Sequence, residues 1–121
     1  MQTISIDPAR LAEELAADHD VVRALRENGD LAEIVRPVDA HFEGDGKAMA
    51  RIELAAEELG WRVVELVEEE DGLLTLWLQR DQMTTDDALR ALTEDALRIE
   101  AAYGVTYDGW GTVAETGVAD D

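Results

Sequence analysis

A chain of 121 residues with 29 Asp and Glu against 10 Lys and Arg carries a formal charge of −19, and any core it forms must hold against that self-repulsion. Three readings of the charge compete. Disorder requires low hydrophobicity as well as high charge, and 46% hydrophobic residues in clear periodicities argue against it. A nucleic-acid decoy would need its acids set out in a phosphate-like stripe. Adaptation to a cytoplasm of molar salt is the third, since the Debye length there falls to about 3 Å and screens acid from acid. The acids occupy every segment, and nine of the ten cations are arginine, with Lys47 the single lysine, so the salt reading is favoured. Direct nucleic-acid binding is not expected, because counterion release needs clustered cations and the chain has none.

The length suits one domain, and no low-complexity linker divides the chain. With no cysteine there is no disulfide framework, thiolate nucleophile or sulfur-ligated zinc, in keeping with a reducing interior. No apolar run approaches the roughly 18–20 residues that span a bilayer, and the start, Met1 to Ile6, lacks a secretory pattern. A cytoplasmic protein without membrane contact is expected.

The spacing of apolar residues predicts the order of elements. Residues 7–28 read as helix, with Asp7 as cap, Pro8 at the first helical position and Leu11, Leu15, Val22 and Leu25 near helical spacing. Asp18-His19-Asp20 could divide it. Residues 34–43 alternate as a half-buried strand, with Ile34, Val38, Ala40 and Phe42 inward and Arg36 the exception among them. Pro37 cannot donate to a ladder, so a bulge or unpaired stretch is expected there. A second helix carries Ala48, Ile52, Ala55 and Leu59, closed by Gly60. Strands follow over 61–68 and 73–79, joined by the acidic turn 69–72. A long helix starts near Thr84 with the stripe Leu89, Leu92, Ala96, Ile99 and Tyr103, and Gly104 stops it before a last strand.

Two strand–helix–strand units joined by a hairpin make an α+β, ferredoxin-like split βαβ sandwich: a four-stranded antiparallel sheet with two helices on one face. This core is expected over residues 31–113, with a helical extension over 1–30 and a short acidic tail over 114–121. The sheet's other face must be wet, covered by the N-terminal helix, or occupied by a partner.

Chemistry is sparse. The acid pairs Glu13/Glu14, Glu57/Glu58, Glu68/Glu69/Glu70, Asp86/Asp87 and Asp120/Asp121 fall on helix surfaces, in a turn or in the tail, where carboxylates keep ordinary pKa values. The 68–72 run lacks the alternating ligands and distal Glu of a calcium loop. His41, beside Asp39 and Glu43, has no nucleophile or second histidine near it, and Ser5 is the only serine. Gly44 and Gly46 form no phosphate-binding pattern. No cofactor, metal or catalytic residue is assigned.

The last strand is different. Tyr107-Asp108-Gly109-Trp110-Gly111-Thr112 sets a tryptophan between two glycines, an arrangement that marks a bulge or close backbone approach. Trp110 could pack under a kinked strand, or join Tyr107 and Trp77 in an exposed aromatic patch that anchors a partner. With this string following a long helix and a Gly60-Trp61 strand start, the chain resembles the RraB family, regulators of ribonuclease activity. That resemblance covers roughly residues 34–113. It implies a variant ferredoxin-like fold and a non-enzymatic protein that binds a ribonuclease E/G-type endonuclease and inhibits it, altering RNA decay. It maps residues 107–112 as a family feature and supplies no catalytic group.

A small-ligand or effector-binding domain acting as a homodimer or higher oligomer is the alternative, and an enzyme built on His41 a distant third. The charge makes its own prediction. The thermal midpoint should rise from dilute buffer to molar KCl as screening relieves repulsion. A midpoint independent of salt would remove the salt reading and restore the nucleic-acid decoy.

Overall fold

Alternation along the first strand decides which side of the sheet is dry. In the computed structural model, which describes residues 6–117, Val38, Ala40 and Phe42 are fully buried while Pro37 is exposed and Asp39, His41 and Glu43 are only half-buried. The elements are α1 (Pro8–Glu27), β1 (Arg36–Gly44), α2 (Gly46–Ala55), β2 (Arg62–Glu68), β3 (Leu74–Gln82), α3 (Asp86–Tyr103) and β4 (Thr106–Gly111). The strands pair antiparallel in the order β2-β3-β1-β4, which is the split βαβ arrangement expected from the sequence. The core joins the inward residues of β1 and β3 to Met49 and Ile52 of α2 and Leu89, Leu92, Ala96 and Ile99 of α3. Among the described residues no helix is long and apolar enough to cross a membrane.

α1 begins as its residues dictate. The Asp7 carboxylate accepts a hydrogen bond from the Ala9 amide (3.0 Å), and Pro8 stands in the first turn, where no amide donor is needed. It runs unbroken through Asp18-His19-Asp20, because Asp18 turns inward to buried partners while its two neighbours stay exposed. The helix does not cover the open side of the sheet. Asp18 bonds to Thr93 of α3 and Trp110 of β4, so α1 lies in the same layer as the other two helices, beside α3 and over the β4 edge.

Several boundaries differ from the sequence reading. β1 starts at Arg36 rather than Ile34. α2 ends at Ala55, and a turn closed by the Trp61 amide on the Ala56 carbonyl (2.9 Å) follows. The buried stripe there is Ala48, Met49, Ile52 and Ala56, leaving Leu59 at the surface. Pro37 pairs in register with Asp81 and lies past the last β1–β4 pair, Asp39 with Gly111, so no bulge is needed at it. The bulges fall elsewhere: at Val64 of the edge strand β2, and in β4 opposite His41.

The fold closes on one buried carboxylate. Asp30, just beyond α1, accepts hydrogen bonds from Arg36 (2.6 Å), Arg26 (2.7 Å), the Thr84 hydroxyl (2.7 Å) and the Glu115 amide (2.8 Å). Arg36 also donates to the carbonyls of Ile34 and Leu31, and Arg26 to that of Thr84. The start of β1, the β3–α3 connection and the segment after β4 therefore meet at one anion. Burial raises the pKa of Asp30, but the bonds from Glu115, Thr84 and Arg36 outweigh it, and the net direction is down.

Asp30→Ala leaves the Arg36 guanidinium buried without its counter-charge, and equilibrium denaturation should show a loss of about 3–5 kcal/mol. A loss below about 1 kcal/mol would mean that the hub is incidental.

Candidate protein-binding face

The string from Tyr107 to Thr112 is a device for turning aromatic rings inward. In a regular strand, residues three apart point to opposite faces. Here Tyr107 pairs with Phe42 and Trp110 with Ala40, so two residues of β4 oppose the single His41 of β1. Gly109 takes the extra position at φ +95°, a conformation that side chains disfavour. A Cβ on Gly109 would meet nothing within 4 Å, so glycine is required there for its backbone alone. The bulge puts both rings on the dry side. Tyr107 is 2% exposed and its ring lies 5.5 Å from that of Phe42, while Trp110 is 7% exposed. The Trp110 indole donates to Asp18 (2.8 Å), which also accepts from the Thr93 hydroxyl (2.6 Å). Thr112 donates to the Pro37 carbonyl (2.8 Å), and Asp108 points to solvent. Trp77 stands on the opposite side of the sheet. The exposed patch of Tyr107, Trp110 and Trp77 is therefore not assembled, and the packed alternative holds for Trp110.

The uncovered face holds a different constellation. His41 pairs with Trp77 across β1 and β3, with ring centroids 4.0 Å apart. Asp39, Glu43, Glu65, Asp81 and Asp108 share that face by register, together with Gln79, which donates to Asp39 (2.8 Å). A shallow depression of about 380 Å³ lies between the ring pair and the segment Gly111, Thr112, Val113 and Glu115. Burial lowers the His41 pKa, opposed by the charges of Asp39 and Asp108, and its Nε2 is buried with no hydrogen-bond partner. Among the described residues no group of three or more His, Asp or Glu is arranged to hold a metal ion. The geometry suits contact with another molecule's polar and cationic groups.

Cations are distributed unevenly between the two sides. Of the ten Lys and Arg, Arg62 alone is exposed on the open face, where it bonds Gln79 and Asp81, and Arg36 borders the depression from within while bonded to Asp30. Arg36 and Arg80 point inward from β1 and β3, Arg80 stacking 4.4 Å over Trp61 and reaching Asp95 of α3. The other seven belong to the helices. Sequence reasoning placed His41 outward beside its acids but did not join it to Trp77. The i, i+2 alternation of both strands held that signal, and only the register between them was missing.

Known proteins are similar to this chain in sequence. The family model described as Regulator of ribonuclease activity B matches residues 15–112, from within α1 through all four strands. A protein of that name from Photobacterium profundum is 29% identical over 119 residues, covering 89% of this chain and 87% of that one. Its namesake from Salmonella typhi is 25% identical over 114 residues, covering 90% of this chain and 83% of that one.

The acids beneath the string respond to pH. Burial raises the pKa of Asp18 despite its bonds from Thr93 and Trp110, and burial raises that of Glu14 against the pull of Arg10. Glu14 is thus no freely solvated surface acid, unlike its neighbour Glu13. Raised carboxylates stabilise the fold in their protonated form, so stability should increase as pH falls from 7 through their folded values. Below about pH 3.8, the ordinary value for Asp30, its lowered pKa makes stability fall again. Asp18→Asn keeps an acceptor for Trp110 and should flatten the rise, as read from thermal midpoints across the series. An unchanged slope in that variant would rule out Asp18 as its source.

Proposed function

The chain belongs to the RraB family, and on that premise we propose that it regulates a ribonuclease by binding it, without itself catalysing a reaction. The partner is a cytoplasmic endonuclease of the ribonuclease E/G type, and binding restrains its cleavage of RNA. The observation that carries this reading is the extent of the family match, which takes in the whole sheet, α2, α3 and the greater part of α1. The architecture supports it. Three helices share one side of the sheet, and the other side is left as a broad polar surface with an aromatic pair at its centre. An acidic regulator has little affinity for RNA, so it would act on the enzyme rather than by shielding the substrate.

The test is cleavage of a fluorescent RNA by a purified ribonuclease E/G-type enzyme with increasing amounts of the chain, in KCl buffer. Cleavage should fall as the chain approaches equimolar with the enzyme, and the two should co-elute in size exclusion. Undiminished cleavage with the chain in excess would defeat the proposal.

A further inference from the structure

Trp77 differs from the other two tryptophans in what it contacts. Trp61 lies beneath Arg80 and Trp110 is bonded by Asp18, so each is engaged within the fold. Trp77 is half-buried on the open face with its ring against that of His41, and among the described residues no cation stacks over it. Guanidinium-over-ring stacking recurs in this molecule, at Arg80 on Trp61 and at Arg51 on Tyr103, 5.1 Å from the ring centre. On the open face the ring is present and the guanidinium is absent.

The surroundings of Trp77 are those an arginine needs. Asp39, Glu43, Glu65 and Asp108 lie on the same face by register, and Arg62, its sole exposed cation, is already bonded to Asp81 and Gln79. The unpartnered Nε2 of His41 lies beside the ring. That nitrogen is buried, so the imidazole acts as a wall that holds the indole in place rather than as an acceptor for the incoming segment. A carboxylate and an aromatic face together recognise guanidinium better than ammonium, because the planar fork can both stack and bond in its plane. A second copy of this chain is a poor occupant, since it would bring another −19 and only one cation on the matching face.

We propose that the open face of the sheet docks an extended, arginine-bearing segment of the protein partner, with one guanidinium stacked on Trp77 and neighbouring arginines paired with Asp39 and Asp108. This rests on the reading of the chain as a protein-binding regulator and adds the partner's chemistry. An extended segment with arginine at alternate positions would turn all of them to this surface.

The test uses the full chain and a short labelled peptide alternating arginine with alanine, with its citrulline counterpart as the uncharged control. In two-dimensional amide spectra the arginine peptide should shift the Trp77 indole signal and spare those of Trp61 and Trp110, while the citrulline peptide shifts none. Because this readout uses the unmodified protein, it does not depend on a variant folding. By fluorescence anisotropy, Trp77→Ala should weaken binding about fivefold, the scale of one cation–π contact. Asp39→Asn with Asp108→Asn should weaken it about tenfold, the scale of two exposed ion pairs. Glu57→Gln with Glu58→Gln removes the same charge from the turn after α2 and should leave affinity within about twofold, because exposed charges this far from the site are screened. Absent binding, equal loss in both double variants, or shifts confined to Trp61 or Trp110 would overturn the proposal.

Ribonuclease cleavage separates the two readings. If the Trp77 and Asp39/Asp108 variants inhibit as well as the unmodified chain, the regulator stands and the docking face falls. If the unmodified chain fails to inhibit while the peptide still moves Trp77, the ribonuclease reading falls and the face remains.

Discussion

Asp30 is the point at which separate parts of the chain are fastened together. A buried carboxylate is costly unless its oxygens are filled, and here two guanidinium groups, a hydroxyl and a backbone amide fill them. A salt bridge of this kind contributes little net stability compared with an apolar packing. What it does is tie four donors from separate segments to one carboxylate, so each segment's position is set by the others. The Leu31 amide on the Glu115 carbonyl (2.7 Å) and the Thr84 amide on the Ala32 carbonyl (2.9 Å) lie alongside and fix the same join. In so acidic a chain, fastening the segments at an anion with arginines also draws scarce cations indoors.

That use of cations shapes the surface. Arg10, Arg26, Arg36 and Arg80 are committed to internal contacts, at Glu100, at Asp30 and over the ring of Trp61, while Arg23, Lys47, Arg51, Arg90 and Arg98 stay exposed on the helices. The open face keeps its carboxylates with one compensating charge, Arg62. The contrast between the two sides thus follows from the helices, which carry the exposed cations, and from the core, which takes in the rest, and it gives the sheet a direction that net charge alone does not reveal.

The fold was readable wherever one period dominated. Alternation along β1 and β3, the stripe of α3 and the glycines at 72 and 104 placed those elements within a few residues. What was not readable depended on register or on distant partners. Alternation marked Arg36 as an exception on the inward face, but not what would neutralise it there, because Asp30 becomes a hub only when four segments meet. Asp18 looked like a helix breaker, since its partners Thr93 and Trp110 are 75 and 92 residues away. The glycines flanking Trp110 announced an irregularity, yet not that one extra residue would bring Tyr107 and Trp110 to the same face. The pairing of His41 with Trp77 likewise needed the β1–β3 register.

The bulge at Val64 has a consequence for how these molecules coexist at high concentration. β2 is an open edge, and Val63, Val64 and Leu66 are substantially exposed along it. A straight edge of that composition would template the strand of a neighbouring molecule. The extra residue breaks the spacing of free amides and carbonyls, so an incoming strand can follow the ladder on one side of Val64 only. Arg62, Glu65 and Glu68 place charges along the remainder. Where screening by salt removes the long-range repulsion that would otherwise keep acidic chains apart, this local mismatch becomes the safeguard against sheet-to-sheet aggregation.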